Sequence, residues 1–246
     1  MHIKAVFLDI DNTLLSFDEY LRQTMSQGFA HFALKPYEPY MFDVFNRENN
    51  ALWRQIEQGT LTFSELIQVR WNRVFRALGI DFDGPTFEQY FRAALNESAI
   101  PEPGAPELLR ALHGKYLLCA ASNGPYTQQV HRLELAGMLP YFDDLYISER
   151  IGASKPSRAF FDAAFASLNH DCQAPIRPNE TLMLGDSLTS DMAGGMQYGM
   201  KTCYYRRGNT ASIPEGIDLV IDRLEQLSAL LEKTPSEKEE QEYESR

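Results

Sequence analysis

Short, mostly apolar runs recur along the chain at residues 3–8, 116–121, 145–147, 182–184, 202–205 and 219–221. The first is too short for a helix and rich in β-formers, and it is continuous rather than alternating, which is the pattern of a strand buried on both faces. Helix-like stretches separate the runs. Strands alternating with helical patterns predict an α/β fold, a doubly wound parallel sheet built from βαβ units.

Residues 16–100 break that alternation with four consecutive helical patterns and no strand. Leu21, Met25, Phe29 and Phe32 lie at helical spacing, as do Leu66, Ile67, Val74 and Leu78, so these faces are expected to pack as a small bundle. Ser16 with Glu19, Thr62 with Glu65 and Thr86 with Gln89 each fit a capping box, while Gly59 and Gly79 suit helix ends. Pro101, Pro103 and Pro106 mark the return to the alternating region, with the exit near residues 96–103. The expected division is therefore a core of residues 1–15 and 101–232, a four-helix insert of residues 16–100, and a polar acidic tail of residues 233–246 that stays solvated and is dispensable.

A length of 246 residues accommodates such a core plus insert, and a hydrophobic fraction of 44% is enough to bury it. With 23 Lys and Arg against 34 Asp and Glu, the net charge of −11 argues against a broad basic surface for nucleic acid or anionic membrane. An anionic ligand must be met locally instead. Cys119, Cys172 and Cys203 are odd in number and lack C-x-x-C spacing, so a reducing compartment is expected. The N-terminal apolar run is interrupted at Asp9 and Asp11, too early for a signal peptide or spanning helix, which makes the cytoplasm the expected location. The five histidines form no H-E-x-x-H pattern.

Four features fall just beyond strand ends, where a doubly wound sheet places ligand contacts. They are Asp9-Ile10-Asp11-Asn12-Thr13, Ser122-Asn123-Gly124, Lys155-Pro156, and Gly185-Asp186-Ser187-Leu188-Thr189-Ser190-Asp191. Gathered together, Asp9, Asp11, Asp186 and Asp191 would be costly without a cation, and hard oxygen donors of this kind suit Mg²⁺. Ser122 and Lys155 then serve as donors to an anion, and a metal opposite a lysine is a clamp for a transferring phosphoryl group. In an extended segment Asp9 and Asp11 share a side, so one can attack while the other handles a proton. Taken singly, Asp186 or Asn12 is equally a helix cap, Ser122 a turn hydroxyl and Lys155 a surface charge.

On these motifs the chain resembles the haloacid dehalogenase superfamily of hydrolases over residues 3–230, with residues 16–100 similar to that family's helical cap. The resemblance implies a Rossmann-type core and roles for each residue. Asp9 would be the nucleophile, and Asp11 the general acid and then base. Ser122, Asn123 and Lys155 would bind the phosphoryl group. Mg²⁺ would sit on Asp9, the backbone carbonyl of Asp11, and Asp186, with Asp191 supporting the metal site or Lys155. The second acid, Asp11, argues against dehalogenation, which needs no proton on the leaving group. Leu15-Ser16-Phe17-Asp18, the segment of residues 52–61 and Ser148-Glu149 through Lys155-Pro156 further resemble bacterial pyrimidine 5′-nucleotidases. Phe17, Trp53 and Arg70 are then candidates for base recognition, with Asn49 beside them, although such residues serve equally as bundle core. The expected partner is a small phosphate ester. The alternatives are a sugar-phosphate phosphatase, a phosphomutase that returns the phosphoryl group to substrate, and a non-catalytic phosphate sensor.

Overall fold

A computed structural model describes residues 2–170, 173–210 and 212–232; Cys172 and the acidic tail 233–246 therefore lie outside the described residues. Two compact units make up the chain, one of Met1–Leu15 with Pro101–Arg246 and the other of Ser16–Ile100.

The second unit holds four helices, α1 (Phe17–His31), α2 (Tyr40–Glu57), α3 (Phe63–Leu78) and α4 (Gly84–Asn96). Their inward faces carry most of the spacing read from the sequence: Leu21, Met25, Phe29, Leu66, Val74 and Leu78 are buried, Phe32 packs partly buried at the edge of the cluster, and Ile67 is half-buried outside it. Aromatic rings fill the centre, with Trp71 and Phe87 at 4.3 Å between centroids and Phe45 and Trp71 at 5.1 Å. Such offset and edge contacts add to the apolar area they bury.

One of the three expected capping boxes forms. Thr62 accepts from the Glu65 amide while the Glu65 carboxylate accepts from the Thr62 amide, closing the start of α3. Ser16 stands at the N-cap of α1 without a side-chain cap bond. The expectation for Thr86 is corrected: Asp83 caps α4 and accepts from both the amide and hydroxyl of Thr86. A carboxylate just ahead of Gly84-Pro85 outcompetes the hydroxyl because Pro85 suits the first turn. Gly59 and Gly79 close α2 and α3 with φ of 70° and 64°, the left-handed conformation that favours glycine.

The first unit is built on a parallel sheet. Among the described residues its strands are β1 (Ala5–Leu8), β2 (Leu117–Ser122), β3 (Asp144–Ile147), β4 (Thr181–Gly185), β5 (Lys201–Tyr205) and β6 (Leu219–Ile221), in the order β3-β2-β1-β4-β5-β6. All five pairings are parallel. This matches the predicted doubly wound sheet, each strand lying within two residues of its apolar run.

Helices α5 (Ala105–Leu112), α6 (Tyr126–Leu135), α7 (Ser148–Ile151), α8 (Arg158–Leu168), α9 (Ala193–Tyr198) and α10 (Glu225–Glu232) complete the unit. Alternate strand residues face opposite ways, so Val6, Leu8, Leu118, Ala120, Leu182 and Leu184 join a cluster with Leu108, Leu133 and Leu227. Ala5, Phe7, Cys119, Ala121 and Met183 join Phe160, Phe161 and Phe165 on the other face. Burial on both faces explains why the strands read as continuous apolar runs.

Leu8 pairs with Ala120 on one side and Leu184 on the other, which brings the carboxyl ends of β1, β2 and β4 level. The chain winds outward from β1 through β2 to β3, then crosses back to β4. That reversal opens a crevice at the strand ends, beside the residues that follow β1 and β4. No helix of the described residues is long and apolar enough to cross a membrane.

Candidate active site

Lys155 is the centre of the crevice. It is 1% exposed, and its ammonium donates to Asp9 Oδ1 at 2.8 Å, Asp191 Oδ1 at 2.6 Å and the Ala121 carbonyl at 2.5 Å. Asn123 fixes its backbone from both sides: Asn123 Nδ2 donates to the Lys155 carbonyl at 2.9 Å, and the Lys155 amide donates to Asn123 Oδ1 at 2.8 Å. The amide of Asn123 thus holds the backbone of Lys155, the residue expected beside it at the phosphoryl group. The surface-charge alternative for Lys155 is excluded by its burial.

Burial pulls the Lys155 ammonium down, but Asp191 and Asp9 outweigh it and hold the group above the usual lysine range. One ammonium cannot fully offset two buried carboxylates. Burial accordingly pushes Asp9 well above the usual carboxylate range, against the pull of Lys155 and with Asp191 adding to the rise. Thr13 donates to Asp9 Oδ2 at 3.3 Å.

Of the four acids expected together, the structure gathers three. Asp9, Asp186 and Asp191 each present a carboxylate oxygen within 4.8 Å of the others. The Asp11 carboxylate stands outside this group and is bound by α6: Arg132 donates to Oδ1 at 2.7 Å and Gln129 Nε2 to Oδ2 at 2.8 Å. The left-handed backbone of Asn12, with φ 62°, turns the chain just after Asp11. Ser122 ends β2, is 1% exposed, and accepts from the same Gln129 Nε2 at 3.0 Å.

The loop after β4 is shaped around Asp191. Ser187, rather than Asp186, caps the following π-helical turn of residues Leu188–Met192 by accepting from the Ser190 amide. The Ser187 amide in turn donates to Asp191 Oδ2 at 3.1 Å. Asp186 is left half-buried, 3.9 Å from Arg207, whose guanidinium also binds Glu102 at 2.8 Å.

Gln129 and Arg132 escaped the sequence reading. The signal lay in their three-residue spacing, on the face of α6 that also carries buried Leu133. Conversely, Arg70 is committed inside the bundle: it is 4% exposed, bound to Glu88 through Nε at 3.0 Å and Nη2 at 2.5 Å, and to Asn49 at 3.2 Å. Arg70 and Asn49, expected as candidates for reading a base, are thus bound to each other, with Arg70 also paired to Glu88. Phe17 and Trp53 are half-buried, and Trp53 packs on Phe63 at 6.0 Å.

Among known proteins, the pyrimidine 5′-nucleotidase PynA of Streptococcus pneumoniae is 32% identical over 206 residues, covering 83% of this chain and 84% of its own length. The pyrimidine 5′-nucleotidase YjjG of Escherichia coli is 30% identical over 230 residues, 92% of this chain and 96% of its own. The crystal structure of the HAD-hydrolase YfnB of Bacillus subtilis bound to magnesium superposes with a TM-score of 0.83 at 29% identity, over 94% of this chain and 99% of that one. A family model for haloacid dehalogenase-like hydrolases matches residues 3–199, spanning every strand-end motif described above. With sequence relatives and fold in agreement, this chain belongs to the haloacid dehalogenase-like hydrolases.

Proposed function

We propose that this hydrolase is a Mg²⁺-dependent phosphomonoesterase acting on nucleoside 5′-monophosphates, pyrimidine nucleotides first. The observation that carries the reading is Lys155, buried between Asp9 and Asp191 at the sheet's reversal point, with a second acid held separately at Asp11. A nucleophile, a fixed cation and a distinct proton carrier are the groups an ester cleavage through a covalent intermediate needs.

Asp9 attacks phosphorus with a carboxylate oxygen, and the bond from phosphorus to the ester oxygen breaks. Asp11 gives its proton to the departing alkoxide, leaving an aspartyl phosphate and a free alcohol. Asp11 then takes a proton from water, whose oxygen attacks phosphorus and returns Asp9 and inorganic phosphate. Ser122 donates to a phosphoryl oxygen, and Lys155 does so by giving up its bond to Asp9, whose oxygen then carries phosphorus.

The donor set fits a hard divalent cation, because three carboxylates converge, two of them sharing the Lys155 ammonium and the third 3.9 Å from Arg207. Asp9 and Asp186 would hold it, with Asp191 behind them. Bound Mg²⁺ would supply positive charge that keeps Asp9 ionised and offsets charge on the phosphoryl oxygens.

Leaving-group choice is assigned to the helical insert, residues 16–100, where Phe17 and Trp53 offer ring surface suited to a base. The pyrimidine preference is supported by the two nucleotidases at 30–32% identity. The buried free thiols Cys119 and Cys203 fit a reducing, cytoplasmic setting.

A phosphate-release screen of pyrimidine 5′-monophosphates against hexose and triose phosphates tests the reading. Higher kcat/KM for the nucleotides supports it. A sugar phosphate that outperforms every nucleotide overturns the substrate class but not the esterase, and isomerisation without phosphate release points to a mutase.

A further inference from the structure

We infer that Gln129 and Arg132 are positioning residues that hold the Asp11 carboxylate in register with Ser122. The inference rests on the phosphatase reading above. Both side chains project from one face of α6, three residues apart, and are 2% and 1% exposed. A guanidinium buried so deeply is costly unless its partner is ionic and well placed. Its ionic partner is Asp11: Arg132 donates to Oδ1 at 2.7 Å and, through the same nitrogen, to Gln129 Oε1 at 2.9 Å. Gln129 closes the circuit by donating through Nε2 to Asp11 Oδ2 at 2.8 Å and Ser122 Oγ at 3.0 Å.

Each oxygen of Asp11 therefore has its own donor, so the carboxylate can neither flip nor swing without breaking a bond to a buried group. The side chain is nevertheless 32% exposed, which leaves it reachable from outside the protein. Proton delivery requires the carrier within hydrogen-bond reach of the departing oxygen, and a carboxyl group fixed in place meets that positional condition in every encounter. Gly124 belongs to the same arrangement, since a Cβ there would sit 3.3 Å from Gln129 Nε2.

A brace of this kind matters in proportion to the basicity of the leaving group. An aryl oxide departs without a proton, whereas the 5′-alkoxide of a ribose does not. Arg132→Lys, Arg132→Gln and Gln129→Met, assayed with uridine 5′-monophosphate and 4-nitrophenyl phosphate, separate the two cases. The expected result is a fall in kcat/KM of about 10- to 100-fold on the nucleotide and less than about threefold on the aryl ester. In an Asp11→Asn background the same substitutions are expected to change single-turnover cleavage of uridine 5′-monophosphate by less than about twofold, because the residue they act through is gone.

Parallel losses on both esters, undiminished losses in the Asp11→Asn background, or full nucleotide activity in all three variants overturns the inference. Wild-type protein that cleaves neither ester overturns the phosphatase reading, and this inference with it. Thermal melting checks folding, and if Arg132→Gln does not fold, Arg132→Lys and Gln129→Met decide.

Discussion

A Cβ on Gly185 would lie 2.1 Å from Asp191 Oδ2 and 2.7 Å from Asp191 Cβ. The last residue of β4 is a glycine because Asp191 stands where its side chain would be. Gly185→Ala is expected to displace Asp191 and deprive Lys155 of its 2.6 Å partner. Overpacking of this kind costs about 1–3 kcal/mol of stability, and turnover is expected to fall by at least about 100-fold. Denaturant unfolding and phosphate release measure the two effects; an alanine variant with native activity would show that the loop after β4 yields freely.

Asp9→Asn is expected to fold and to bind substrate, yet to lose turnover by several orders of magnitude, because the amide cannot form the phosphoenzyme. Retention of more than about a tenth of wild-type activity would remove Asp9 from the nucleophile's role.

Chelation is expected to abolish phosphate release, and Mg²⁺ to raise the melting temperature of the wild type, since a ligand of the folded state alone stabilises it. Asp186→Ala is expected to erase most of that shift. Asp191→Ala, whose carboxylate is engaged by Lys155 and the Ser187 amide, is expected to erase less of it. Equal loss in both variants would make Asp191 a ligand in its own right.

The strands and the strand-end motifs were legible because they depend on local pattern. Residues such as Val6, Phe7 and Leu8 are apolar without interruption since the sheet is covered on both sides, and the acids begin where that cover ends. Thr62 and Glu65 were legible for a similar reason, as both partners of the bond lie within one turn. Asp83 displaced Thr86 through competition between two neighbouring caps, which spacing alone does not rank. Asp11 was bound to Gln129 and Arg132 across more than a hundred residues of sequence, and on a helix with charged neighbours such a pair reads as a solvated face. The burial of Lys155 was hidden likewise, because its partners come from three separate strand ends.

The Arg70–Glu88 pair gives a stability prediction for the insert. Burial raises the Glu88 carboxyl and Arg70 pulls it back, so the Glu88 charge depends on Arg70. Arg70→Met is expected to cost about 3–5 kcal/mol by leaving Glu88 buried and unpaired, whereas Arg70→Met with Glu88→Leu is expected to restore most of the loss. Trp53 and Trp71, both in this unit, report its unfolding by fluorescence. A double variant no more stable than the single one would refute the pairing argument.

Cys119 is pushed up to about 12 by burial, partly offset by its bond to Tyr146, and burial raises Cys203 as well. In a Cys172→Ser background, neither thiol is expected to react with an aromatic disulfide reagent at pH 8 until the protein is denatured. The folded values lie above the unfolded one, so this contribution to stability is whole below the ordinary thiol range and is lost as pH rises from there toward about 12. Cys119→Ala is expected to flatten that alkaline decline, and rapid modification of the native protein would contradict the burial.

The insert leaves and rejoins the chain at one point: Leu15 pairs with Pro101, and the Ser16 amide donates to the Ile100 carbonyl at 2.8 Å. A segment whose two ends meet can change length or content without altering the path of the strands it interrupts, since closing it depends only weakly on how many residues it holds. Inheritance can therefore act on the two parts separately. An unrelated bundle spliced between Leu15 and Pro101 would leave Asp9, Lys155 and Asp191 in place, so a lineage could exchange the whole insert while keeping the strand-end residues unchanged.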